Sequence, residues 1–135
     1  MKVIILGKST FENQLTIEHV QVYLKKNKIK LKEIIATEKN EDEIAFVLSD
    51  VLDIPISYFP IEWENMEGCS TPKINRWGKT YNPMAGYNRN QKMVKEADAM
   101  VIFWDDLSDH TFLISEMKKT GKDVLFAKPN VEYVF

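Results

Sequence analysis

The sequence predicts an α/β chain with one five-stranded parallel sheet and helices on both of its faces. Three observations carry this. Short apolar, β-branched runs alternate with segments of helical periodicity along the chain, and such alternation implies crossover connections between parallel strands. The first run, residues 3–6 (Val-Ile-Ile-Leu), is continuous and not alternating, as a strand covered on both faces must be. The length of 135 residues and a hydrophobic fraction of 44% suffice for one core, so residues 1–135 read as one domain.

The elements follow in order. The first strand ends at Gly7. Residues 14–26 predict a helix, because Ile17, Val20 and Leu24 fall at helical spacing. Lys25, Lys26 and Lys28 close it as a solvated end that complements the helix dipole. Residues 31–36 predict the second strand. Residues 41–52 predict the second helix, with Ile44, Phe46, Val47, Leu48, Val51 and Leu52 supplying its apolar face and Asn40 as its cap. Residues 54–59 predict the third strand, interrupted early by Pro55.

Residues 60–84 break the pattern as a long loop insertion. They hold three prolines, Trp63, Trp77, Gly68 and Gly78, with little periodicity, and long connections of this kind carry function or move. Regular structure resumes with a helix at 88–97, a strand at 99–104, a helix at 110–120 and a strand at 122–127. Gly121 stands where a helix C-terminus favours glycine. The tail at 128–135, with Tyr133, Val134 and Phe135, is apolar enough to dock on the body or on a partner, a homo-oligomer included.

Composition narrows the function classes. The formal charge is −2, which argues against a dedicated nucleic-acid binder, since those carry a basic excess. No apolar run approaches a bilayer span. Residues 1–7 lack a small-residue cleavage site and read as a strand, not a signal peptide. Cys69 is the only cysteine, so no internal disulfide forms, which fits a reducing, cytoplasmic setting. With no basic neighbour in sequence beyond Lys73, it reads as a passive thiol.

Ligands of an open parallel sheet bind beyond the carboxyl ends of its strands. That rule picks out the loops after Leu6, Ala36, Phe59 and Trp104, and three segments carry candidate chemistry. Gly7, Lys8 and Ser9 form a turn whose N–H groups could cradle an anion, or equally a tight turn and helix cap. It is no P-loop, because the spaced glycine pair before the lysine is missing. Asp105, Asp106, Ser108 and Thr111 lead into a helix, where hydroxyls and free N–H groups suit a phosphate or ribose. The same residue types cap any helix. Neither a Ser/His/Asp triad nor a metal site follows, since clustering in a cap sets no triad geometry and the aspartate spacing is not diagnostic. The third segment stands out most. Gly86 permits close backbone approach, Arg89 offers a planar fork for phosphate or carboxylate, and Asn88 and Asn90 add donors and acceptors. Asn88 also reads as a helix cap. Trp63 and Trp77 stack on a base or, more commonly, plug a core.

In the order they stand, Phe59-Pro60-Ile61-Glu62-Trp63, Gly78-Lys79, the run from Ala85-Gly86 through Asn88-Arg89-Asn90 to Met93, and Ala97-Asp98 through Trp104 resemble the YspA-like branch of the SLOG superfamily. That superfamily includes the Smf/DprA proteins and the Lonely Guy enzymes. The resemblance covers residues 55–126 well and the first strand loosely. It implies a Rossmann-like sheet and a nucleotide or nucleotide-derived ligand; no cofactor is expected. Lonely Guy proteins cleave the N-glycosidic bond of nucleoside monophosphates; for the YspA-like branch, sensing of a nucleotide signal is the expectation. The chain departs from the pattern after its second and fourth strands. Residues 36–43 and 106–111 lack the family's phosphate-loop glycines, and Ile114 stands where the Lonely Guy motif has its glutamate.

Binding of a nucleotide-like small molecule, for sensing or sequestration, is therefore the leading expectation. An N-glycosidic-bond enzyme, a nucleotide hydrolase or a nucleoside deoxyribosyltransferase-like protein, is the second. It needs a carboxylate, for which Asp105 or Asp106 stand ahead of Glu38 or Asp42. A degenerate fold kept for protein contacts is the third.

Overall fold

A computed structural model describes residues 1–7, 17–38, 42–103 and 110–127. The chain runs β1 (Lys2–Leu6), α1 (Ile17–Lys26), β2 (Glu33–Ala36), α2 (Glu43–Leu52), β3 (Ile56–Tyr58), β4 (Lys73–Ile74), β5 (Thr80–Tyr81), α3 (Ala85–Glu96), β6 (Ala99–Phe103), α4 (Thr111–Lys119) and β7 (Asp123–Ala127). Five strands form one parallel sheet in the order β3-β2-β1-β6-β7. The chain builds outward from β1 to β3, then returns to the other side of β1 to place β6 and β7. The reversal of strand order therefore falls between β1 and β6. This is a Rossmann-like three-layer fold.

Side-chain alternation along the strands divides the core. Val3, Ile5, Ile34, Ala36, Val101 and Phe103 meet Val20 and Leu24 of α1 and Ile44 and Leu48 of α2. Ile4, Leu6, Ile35, Met100 and Ile102 meet Met93 and Val94 of α3 and Leu113 and Met117 of α4. From Val3 to Leu6 in β1 and throughout β6 every position is apolar and buried, because both faces of these central strands are covered. Their buried aliphatic side chains each stabilise the fold by about 1.5–3 kcal/mol relative to exposure.

Several boundaries differ from the sequence expectation. Helix α2 starts at Glu43, with Asp42 at its N-cap position; Asn40, expected as the cap, lies outside the described residues. Strand β2 begins at Glu33 and not at residue 31. Helix α3 begins at Ala85, three residues before the expected start. The cause is Asn82, whose Oδ1 accepts the Met84 N–H at 2.8 Å while its carbonyl accepts the Ala85 N–H at 3.0 Å. Asn88 is thus a helical residue and no cap.

The insertion is also more ordered than a structureless loop. It contains an antiparallel hairpin of β4 and β5. Asn75 builds its turn: Oδ1 accepts the N–H groups of Trp77 and Lys79 at 2.9 and 3.0 Å, and Gly78 takes φ +79, which glycine tolerates best. Asn82, fully buried, clamps the rest. Its Nδ2 donates to the carbonyls of Asn65 and Glu67 at 2.9 and 3.0 Å, and its N–H donates to Trp63 at 2.7 Å. Neither described tryptophan plugs the core. Trp77 is 70% exposed and Trp63 48% exposed; Arg76 covers the Trp77 ring at 4.3 Å and Tyr81 meets Trp63 edge-on at 6.0 Å. Both belong to a surface insertion that lies off the sheet.

No helix among the described residues is long and apolar enough to cross a membrane. The tail at 128–135 lies outside the described residues.

Candidate functional site

Because the five strands are parallel, their carboxyl ends share one edge. Two constructions occupy it. The first centres on Asp42, which is fully buried. Its Oδ1 accepts the Gly7 N–H at 3.1 Å. Its Oδ2 accepts the Thr37 N–H at 3.4 Å and also the Thr37 hydroxyl. His110 Nε2 lies 3.4 Å from Oδ1. One carboxylate thus ties together the chain leaving β1, the chain leaving β2 and the start of α4. Gly7 is required there by packing: a Cβ would stand 2.8 Å from the Phe103 carbonyl oxygen and 2.8 Å from Ile44 Cδ1. Its N–H serves Asp42, so that donor is taken by the protein itself.

The second construction is a cavity of about 250 Å³ beyond the end of β3. Tyr58, Phe59 and Pro60 form the strand-end wall. Ala85, Asn88, Arg89 and Lys92 form the helix wall; their spacing of three, four and seven residues puts them on one face of α3. Glu62, Asn65 and Glu67 of the insertion complete it. Arg89 is half-buried and anchored: Nη1 donates to the Phe59 carbonyl at 3.3 Å and Nε to Asn90 Oδ1 at 2.8 Å. Asn90 is itself buried, so it orients the guanidinium from behind. Asn88 Nδ2 donates to the Glu67 carbonyl at 2.8 Å. The Lys92–Glu67 ion pair at 3.6 Å is exposed on both sides and adds little stability. Asn65 Nδ2 donates to Glu62 Oε2 at 3.0 Å. The Tyr58 hydroxyl is buried without a hydrogen-bond partner among the described residues, and burial pushes the phenol pKa above its ordinary value.

The expected site residues divide. Arg89 and Asn88 line the cavity, with Asn90 behind them. Gly86 sits in the first turn of α3 and outside the lining; a Cβ there would meet only Ile61 Cδ1 at 3.8 Å, so no described group needs glycine at that position. Gly7 shares the same sheet edge but belongs to the Asp42 construction. Thr111 opens α4 and borders a different groove, with Ile114 and Phe126. Lys8, Ser9, Asp105, Asp106 and Ser108 lie outside the described residues. Sequence reasoning missed Glu62, Glu67, Lys92, Thr37 and His110. Helical spacing from Asn88 and Arg89 points to Lys92; the two glutamates carry no such signal, because the fold of the insertion places them. Cys69 is a free, half-buried thiol. Among the described residues no group of His, Cys, Asp or Glu is arranged to hold a metal.

The fold and this edge define the class: a Rossmann-like α/β protein with an arginine-bearing cavity at the carboxyl ends of its strands. No family model matches the chain, and no curated protein does.

Proposed function

We propose that the chain is a YspA-like member of the SLOG superfamily that binds a nucleotide or nucleotide-derived small molecule at the carboxyl edge of its sheet, as a sensor or a sequestering protein. The observation that carries this reading is the placement of Arg89. Its guanidinium is braced at the end of β3 by Phe59 and Asn90, beside a cavity that also presents Lys92 and Asn88. A fork held in place loses little further freedom when it meets a phosphate. Phe59, Tyr58 and Pro60 offer an apolar wall for a base, and Glu62 and Glu67 offer acceptors for ribose hydroxyls. At about 250 Å³ the space falls below the roughly 300–1,000 Å³ of drug-sized sites. This favours a mononucleotide or sugar phosphate over a dinucleotide.

The test is a thermal-shift screen with nucleoside mono-, di- and triphosphates, cyclic dinucleotides and ADP-ribose. A ligand at a hundredfold its Kd adds about 2.7 kcal/mol to native stability, a rise of roughly 5–10 °C for a domain of this size. A mononucleotide is expected to raise the midpoint of the wild type and leave Arg89→Ala unmoved. An equal rise in that variant overturns the assignment.

One observation favours N-glycosidic chemistry as a second reading: Glu62 and Glu67 bring carboxylates to the cavity, which such a reaction needs as nucleophile or base. Asp42 does not serve, since its oxygens are buried against Gly7, Thr37 and His110. Release of free base from a nucleotide, abolished by Glu62→Gln, distinguishes this from binding alone.

A further inference from the structure

The opposite edge of the sheet carries a second built feature. Helices α1 and α2 both end there, and each ends with a residue in the left-handed region that is not glycine: Lys28 at φ 58 and Asp53 at φ 52. After α1, the Ile29 N–H donates to the Leu24 carbonyl at 2.9 Å and the Lys28 N–H to the Lys25 carbonyl at 3.1 Å. After α2, the Ile54 N–H donates to the Ser49 carbonyl at 3.1 Å. These are Schellman-type endings, which turn the next apolar residue back onto its own helix. They bring Ile29 and Ile54 to a shared groove of about 420 Å³, floored by Leu24, Leu31 and Leu52.

Lysines surround that floor. Five of the eight residues from Lys25 to Lys32 are lysine, in a chain of formal charge −2. All five are exposed, and none has a carboxylate of the described residues within ion-pair distance. Lys25 and Lys26 stand in the last turn of α1 and suit its end, and Lys28, Lys30 and Lys32 continue the charge beyond the helix. From Lys28 to Lys32 the lysines alternate with Ile29 and Leu31, so one side of the segment is charged and the other apolar.

We propose that this groove docks an acidic peptide segment of another protein, one that carries apolar side chains between its carboxylates. Charge complementarity selects an anionic partner, and the concave apolar floor selects among anions. A nucleic acid would find phosphate contacts there but no aromatic platform among the lining residues. A bilayer surface would need protruding apolar groups, and here Ile29 is buried while Leu31, Leu52 and Ile54 are recessed. An acidic-apolar peptide uses both parts, its side chains filling the groove and its carboxylates reaching the lysine rim. The site is separate from the carboxyl-edge cavity and does not depend on it.

The test immobilises the full chain and selects from a random 12-residue peptide display library, with counter-selection on the Lys25→Glu, Lys28→Glu, Lys30→Glu triple variant. All three side chains are exposed, and circular dichroism checks that the variant folds. Enriched peptides are expected to combine Asp or Glu with Leu, Ile or Phe. Their affinity, read by fluorescence anisotropy, is expected to fall at least tenfold on the triple variant and at raised salt, and to be unchanged by Arg89→Ala. A twelve-residue oligoglutamate is expected to bind at least tenfold more weakly than those peptides. Failure to enrich such peptides, equal affinity for the triple variant, or tighter binding of dT12 or of phosphatidylserine vesicles overturns the proposal. So does self-association of the chain that the triple variant abolishes, since a second copy would then be the occupant.

Discussion

The Gly7 N–H and the Asp42 carboxylate meet at 3.1 Å, and this contact joins the chain leaving the central strand to the start of α2. Asp42 occupies a helix N-cap position yet makes no side-chain bond to its own helix. Its carboxylate is spent across the sheet edge instead, on Gly7, Thr37 and His110. Asp42→Ala removes the buried acceptor that Gly7, Thr37 and His110 share, and each such loss costs about 1–3 kcal/mol. The expected loss is at least about 3 kcal/mol in urea unfolding, with the m-value unchanged. Asp42→Asn keeps one acceptor oxygen and is expected to lose less.

Asn82→Ala tests whether one amide organises the insertion. It removes the two bonds to the Asn65 and Glu67 carbonyls and the one from the Met84 N–H that holds the turn ahead of α3. Each such bond contributes about 1 kcal/mol. A total loss of about 2–3 kcal/mol is expected, together with faster proteolytic cleavage inside residues 60–84. Weakened ligand response is expected as well, because Glu62 and Glu67 lose their placement.

Lys28→Gly is expected to stabilise the fold. A left-handed residue with a Cβ costs roughly 1–2 kcal/mol, while glycine adds back about 0.4–1 kcal/mol of unfolded-chain entropy. A net gain of about 0.5–1 kcal/mol follows, measurable by thermal unfolding. The same substitution removes one lysine from the amino-edge groove and is expected to weaken peptide docking. Stability and docking then move in opposite directions, which a purely structural role for Lys28 would not produce.

Glu116 links α4 to α3. Its carboxylate accepts from Gln91 Nε2 at 2.7 Å and from Lys119 Nζ at 3.2 Å, and these bonds, the Gln91 bond foremost, hold its pKa below the ordinary carboxylate value. A lowered folded pKa means that this contribution is present above the unfolded pKa and fades as pH falls through the folded one. Glu116→Gln is therefore expected to lower the melting temperature at pH 7 and to converge on the wild type as pH falls through the folded pKa. A difference that persists once Glu116 is protonated would show that the bonds, and not the charge, carry the effect.

Much of this architecture was legible in the sequence. The buried strands announce themselves as unbroken apolar runs because covering both faces leaves no polar position, and α1, α2 and α4 follow their periodicity. What escaped notice depends on single side-chain bonds. The two-residue strands β4 and β5 owe their pairing to Asn75, and the early start of α3 owes itself to Asn82; neither residue carries a periodic signature. Arg89 and Asn88 stood out by type and position, whereas Glu62 and Glu67 reach the cavity through the fold of the insertion alone. Trp63 and Trp77 misled for a related reason: bulk suggests the interior, but a hairpin off the sheet has no interior to fill.

The outward position of those two indole rings makes their emission, read in a Trp104→Phe background, a local gauge. Trp63 sits in the segment that also supplies the cavity wall, and Trp77 crowns the hairpin, so quenching by iodide should reach both while the sheet is still intact. Melting of the insertion would redden the spectrum before far-UV ellipticity changes. A cavity ligand that braces Glu62 and Asn65 would blunt that quenching, and its arrival could be timed by stopped flow with no attached dye.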